Sequence, residues 1–200
     1  MDDDIKELAK IVKNILSKSE KQSVSHRWGH VKRVYHNCLK IAKYYSNVNY
    51  RILEAAALLH DIYQPYNEKK NHAVLSAQKA REILQSLNFN DDEIDKITQI
   101  IKEHSSENPD IKPSSIEAKI LFDADKIDGV GAVGIARVFA FMGQNGFTPE
   151  QAISWYKYKI DLALPQLQTE IGYKIAKKKL SYVINFIKKF EKENSVSDIV

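Results

Sequence analysis

Apolar residues recur at spacings of three and four along almost all of this 200-residue chain. That period is one face of an α-helix, and strand-like alternation bounded by turn signals is missing. Only seven glycines and five prolines punctuate the pattern. It predicts an all-α fold, and 200 residues are ample for one domain (1–200) with a substantial core.

Helices are expected over about 3–17, 25–45, 50–62, 72–87, 91–104, 114–128 and 130–142. The second would bury Val31, Val34, Cys38, Leu39, Ile41 and Ala42. Pro65 supports a break in the loop YQPYNEKKN, and the loop SSENPDIKP precedes a helix with Ser114 or Ser115 as its N-cap. The tail, 149–193, is one or two helices, with Pro165 a kink or boundary.

Composition excludes several classes. A lone cysteine, Cys38, rules out an intrachain disulfide and a Cys-rich zinc site, and its helical neighbours suggest a core residue. The net charge of +4 suits an anionic substrate but is too mild to signal nucleic acid, and Lys177–Lys179 with Lys188–Lys189 read as a solvated helix face. The start, MDDDIKELAK, lacks the basic and apolar regions of a signal peptide. The longest apolar run, 129–143, is shorter than the ~20 residues that span a bilayer and is interrupted by Arg137. A soluble, cytoplasmic protein is expected.

Three polar stretches do not fit a plain bundle. In HRWGH, His26 and His30 are four apart, so a helix would stack them on one face, as two ligands or as a ligand with its supporter. In EAAALLHD, His60 and Asp61 end an apolar run, and burying them costs several kcal/mol unless they are paired or ion-bound. Adjacent helical residues diverge by about 100°, so the pair serves one ion only near a helix end. In ILFDADKIDG, Asp125 and Asp128 can share a face while Asp123 points elsewhere, and Lys126 could neutralise an anion. Each has a plainer structural alternative: a helix-face pair, a capping histidine beside a surface aspartate, an acidic turn.

The succession His30, His60–Asp61, Asp125 resembles the HD-domain superfamily of metal-dependent phosphohydrolases. The likeness extends over roughly 23–140 and includes HxxxHxxRV at 26–34, ALLHDI at 57–62, His72 opening a helix, His104–Ser105 and DADKIDGVGAVGIAR. It is nearer the small single-domain branch than the nucleotide-synthetase or cyclic-dinucleotide branches.

The resemblance implies a single-domain HD-type helical bundle, with its core at about 23–140 and a C-terminal helical extension at about 149–195. It implies that His30, His60, Asp61 and Asp125 hold one divalent ion. Two imidazoles and two carboxylates without thiolate suit Mn, Fe, Ni, Co, Zn or Mg. Such an ion polarises phosphate and lowers the pKa of its water. The implied activity is hydrolysis of a small phosphorylated molecule, a nucleotide first, at a monoester or pyrophosphate bond.

Asp61, Lys126 and His104 are the candidate catalytic groups. His72, His104, Lys126, Arg33 and Asp128 are candidates for binding substrate, with Arg33 alternatively in a structural salt bridge. His72 and His104 could instead hold a second metal. His26 is expected to orient a ligand, Asp128 is a candidate for that role as well, Glu103 is a candidate general base and His36 an ordinary histidine. Tyr63 and Tyr66 could favour a nucleotide base. Some nucleotidases of the superfamily carry an acidic residue shortly after HD, whereas here none precedes Glu68.

Two other classes stay open: a signalling module that binds a nucleotide without cutting it, and a di-iron oxygenase using His72 and His104. A membrane or nucleic-acid partner is not expected, and a homodimer is compatible with the chain.

Overall fold

The computed structural model describes residues 2–19, 23–63, 71–105 and 111–195. Helices α1 (Asp3–Lys18), α2 (Trp28–Ala42), α3 (Tyr50–Leu59), α4 (His72–Gln85), α5 (Asp91–Glu103) and α6 (Ile116–Asp128) come first. α7 (Ala132–Gln144), α8 (Pro149–Ala163) and α9 (Glu170–Asn194) follow, and no strand occurs among the described residues. The fold is all-α.

Local chemistry starts these helices. Asn90 and Glu93 form a reciprocal capping box on α5, and Thr148 and Gln151 form another on α8, where Pro149 fills the first turn. Of the two candidate serines, Ser115 caps α6, accepting from the Ala118 amide.

Two departures from the periodic pattern matter. Arg27, extended at φ −87° and ψ 178°, separates a short 3-10 turn, Val24–His26, from α2, so the expected single helix over 25–45 is interrupted. α3 stops at Leu59, short of the expected end at 62, and a turn holding His60 and Asp61 follows it. In the C-terminal part Pro165 lies in a 3-10 turn between α8 and α9, making two helices. Pro65, Tyr66 and Glu68 lie outside the described residues.

Apolar faces meet in two cores. The larger gathers Val12, Val34, Leu53, Leu59, Leu84, Ile97, Ile101 and Ile120 from α1–α6. α3 is its centre, with Ile52, Leu53 and Ala55 through Leu59 all buried. The smaller, Ile135, Val138, Met142, Ala152, Ile153, Tyr156, Val183 and Ile187, joins α7, α8 and α9.

Polar contacts fasten the second core to the first. The Tyr156 hydroxyl donates to the Gly129 carbonyl at 2.9 Å, and Lys179 Nζ donates to the Ile127 carbonyl at 3.1 Å. No helix among the described residues is long and apolar enough to cross a membrane.

Candidate metal centre

Helix ends converge on one point. His30 lies in the first turn of α2, His60 and Asp61 directly follow α3, and Asp125 lies in the last turn of α6. His72 opens α4 and His104 ends α5. The buried apolar face of α3, ending in Ala55 through Leu59, fixes where His60 and Asp61 sit, and both are buried.

Four donor atoms face one another there. His30 Nε2 is 3.2 Å from His60 Nε2, 3.3 Å from Asp61 Oδ2 and 3.4 Å from Asp125 Oδ1. His60 Nε2 is 3.5 Å from Asp61 Oδ2. Ligands about 2.1 Å from one ion stand about 3.0–3.4 Å apart at octahedral to tetrahedral angles, so these spacings match a shared cation.

Tautomers sharpen the point. His30 Nδ1 donates to Asp128 Oδ2 at 2.8 Å, and His60 Nδ1 donates to the Ala57 carbonyl at 2.9 Å. Both Nε2 lone pairs therefore point at each other, and a proton or a metal ion must lie between them.

Charges agree. Burial pushes His60 down to about 4, with Asp61 opposing, so its imidazole is neutral. Burial works against ionised Asp61 and Asp125, yet both carboxyls are held below the usual range, Asp61 by His60, His104 and His30, and Asp125 by Lys126, His30 and His60. For His30, burial is the largest influence and lowers its pKa, as does Arg137, but Asp128, Asp61 and Asp125 outweigh them and the net shift is upward.

Asp61 also faces a second group. Its Oδ1 lies 3.4 Å from His104 Nε2 and 3.7 Å from His72 Nε2, and these two nitrogens are 3.3 Å apart. His104 Nδ1 donates to the Ile101 carbonyl at 2.6 Å, which leaves its Nε2 as a lone pair. Three groupings, His26–His30–Asp61, His30–His60–Asp125 and His60–Asp61–His104, each bring donors within 4.8 Å of one another. His72 and His104, the candidates for a second metal, thus lie beside the Asp61 carboxylate that also faces His30 and His60.

The remaining expected residues divide. Asp128 is buried and accepts from His30, from Arg33 Nε at 2.7 Å and from Arg33 Nη2 at 3.1 Å, and Arg137 Nη1 lies 2.9 Å away. Asp128 thus bonds His30 on the side away from the other three donors, with Arg33 bonded to Asp128, and neither is among the residues lining the cavity. His26 reaches the centre from the 3-10 turn rather than from a helix face shared with His30. Its ring is 5.3 Å from that of His30, and its Nδ1 is 2.9 Å from the Ser25 hydroxyl.

Lys126 Nζ lies 2.9 Å from Asp125 Oδ2 and donates to the His104 carbonyl at 3.2 Å. Glu103 is occupied structurally, accepting from the Ser114 amide and hydroxyl and from Gln99. Asp123 points elsewhere, and Tyr63 is absent from the cavity lining.

A cavity of about 390 Å³ opens over the centre. His26, Asp61, His72, His104, Asp125 and Lys126 form its floor, while Phe141, Trp155, Tyr156 and Lys159 come from α7 and α8. Arg137 joins them. The sequence reading missed these wall residues. Arg137 had a visible signal, a cation interrupting an apolar run, and Trp155 and Lys159 share a helix face at i, i+4.

An all-α bundle that gathers imidazoles and carboxylates from helix ends beneath a cavity defines a helical domain able to hold a divalent ion. The chain belongs to the HD domain family, whose pattern matches residues 27–129. It is 28% identical over 179 residues to YpgQ of Bacillus subtilis (strain 168), covering 86% of each chain. The crystal structure of Bacillus subtilis YpgQ in complex with ADP superposes with a TM-score of 0.78 at 26% identity, covering 96% of each chain. A predicted HD superfamily hydrolase from an uncultured Thermotogales bacterium gives a TM-score of 0.66 at 28% identity, over 94% of this chain and 91% of that one.

Proposed function

We propose that this protein is a divalent-metal-dependent phosphohydrolase acting on a small phosphorylated molecule, a nucleotide first, with His30, His60, Asp61 and Asp125 as the metal ligands. The observation that carries the reading is the pair of Nε2 lone pairs facing each other at 3.2 Å between two carboxylates. When bound, the ion supplies Lewis acidity and a water of lowered pKa.

The chain's own groups do the rest. Two N–H groups of Lys126 are engaged by Asp125 and the His104 carbonyl, which leaves a third for a phosphoryl oxygen. Arg137, held by Asp128 and by the Ser25 carbonyl at 2.9 Å, adds a second cation to the cavity. Phe141 and Trp155, with ring centroids 5.7 Å apart, offer aromatic surface for a base, and the volume lies in the range of small-ligand sites. The ADP complex of YpgQ supports a nucleotide.

The test is a screen of nucleoside mono-, di- and triphosphates and simple phosphate esters with several divalent ions, reading phosphate and pyrophosphate separately. Hydrolysis lost in His60→Ala and Asp61→Ala, with helical circular dichroism kept, is the expected result. Tight nucleotide binding without product release under any metal would favour a binding module instead.

A second reading has its own support in the His72–His104 pair beside Asp61. A two-iron content with oxygen consumption would replace hydrolysis by oxidative chemistry.

A further inference from the structure

Asp123 and Asp125 stand two residues apart on α6, about 200° around the helix, and so face opposite ways. Asp125 faces the metal centre. Asp123, fully buried, faces the start of α9. Its Oδ1 accepts from the Gln168 amide at 2.7 Å, and its Oδ2 accepts from the Thr169 amide at 2.8 Å and from the Thr169 hydroxyl. Thr169 is itself the N-cap of α9, accepting from the Gly172 amide at 2.9 Å. Gly172 is pressed against this carboxylate so closely that a Cβ there would collide with Asp123 Oδ2.

The segment that enters this contact is the end of the cavity wall. Trp155, Lys159, Ala163, Leu164 and Leu167 line the cavity and lead directly to Gln168. α8 packs chiefly in the second core, with Ile160 and the following Leu164 and Leu167 also resting on the first. α6 packs on α9, so the joint between α6 and the start of α9 helps set how far this wall stands from the metal centre. A carboxylate taking two amides and a hydroxyl at a helix N-terminus is a strong, directional contact of that kind.

We propose that Asp123 is a positioning residue: by tying the start of α9 to α6, it sets the α8 wall over the metal centre and so governs substrate affinity rather than metal affinity. This rests on the nucleotide reading above for its substrate.

The test uses the full chain and three variants: Asp123→Asn, Thr169→Val, which removes the hydroxyl that donates to Asp123 and caps α9, and Gly172→Ala, which pushes on the same contact from the other side. Calorimetry measures Mn²⁺ binding, then ADP binding at saturating Mn²⁺. Acrylamide quenching reports Trp155 in a Trp28→Phe background, since the chain has two tryptophans. Mn²⁺ affinity should stay within about threefold, while ADP binding weakens about tenfold in Asp123→Asn and Gly172→Ala and less in Thr169→Val. That is modest beside the ~100-fold that a 1 Å misplacement can cost. Trp155 quenching should rise in the same order.

A parallel loss of Mn²⁺ affinity would overturn the proposal, because Asp123 would then be acting through Asp125. Parent-like quenching and ADP affinity in Thr169→Val and Gly172→Ala would overturn it too, even if Asp123→Asn fails to fold. If the parent chain binds no ADP, the nucleotide reading fails separately and the quenching series alone decides the role of Asp123.

Discussion

His72 Nε2 and His104 Nε2 stand 3.3 Å apart on the Oδ1 side of Asp61, whose Oδ2 lies 3.3 Å from His30 Nε2 and 3.5 Å from His60 Nε2. One carboxylate thus serves two nests of nitrogen, as in sites where two ions sit about 3.5–4 Å apart. Titration with Mn²⁺ should therefore reach two ions per chain. His104→Ala should bind one, with the tighter step preserved. A parent stoichiometry of one, unchanged in His104→Ala, would refute the second position.

Asp128 holds His30 in the tautomer that aims Nε2 at the centre. Asp128→Asn should weaken metal binding by about 10–100-fold, the usual cost of losing an outer carboxylate. Arg33→Ala, which leaves the His30–Asp128 bond in place, should cost less than about tenfold. Mn²⁺ affinities of the two variants, measured together, check the ranking; equal effects would count against it.

Metal and proton compete for His30. Its pKa is raised, the carboxylates of Asp128, Asp61 and Asp125 overcoming burial and Arg137, so the metal-free protein carries a proton on Nε2 below that pKa. Metal binding should release this proton, and apparent affinity should fall about tenfold per pH unit on the acid side of the His30 pKa and level off above it. His60, at about 4, adds nothing until the pH is far lower. Calorimetry at pH 6 in buffers of different ionisation enthalpy measures the release. Zero protons would contradict the assignment.

Cys38 is buried in the first core, and burial, reinforced by Asp125 and Asp123, raises its thiol pKa well above the ordinary value. Iodoacetamide should modify it at least ~100-fold more slowly in the folded protein than in the denatured chain. Comparable rates, followed by mass spectrometry, would mean that α2 opens far more often than its packing implies.

Packing at the head of the site yields a stability test. Leu59, fully buried, ends α3 immediately before His60. Leu59→Ala should cost about 2–5 kcal/mol in denaturant unfolding. It should also weaken metal binding, because the turn carrying His60 and Asp61 loses its support. A loss of stability with unchanged Mn²⁺ affinity would show that the turn is held by other contacts.

The helical period is local, repeating every 3.6 residues, so the amino-acid sequence by itself determined the all-α class, helix starts near 91, 114 and 149, and the apolar run that leads α3 to its end near His60. Its motifs carried the resemblance that implied His30, His60, Asp61 and Asp125 as ligands. Only tertiary structure decided the rest. The break at Arg27 removed His26 from the helix face of His30. Asp128 bonds His30 from the side away from the other three donors with Arg33 bonded to Asp128, and Arg137, Trp155 and Lys159 form the wall in their place. Such convergence depends on how helices far apart in the chain pack, and a periodic pattern records which face is buried but not what that face meets.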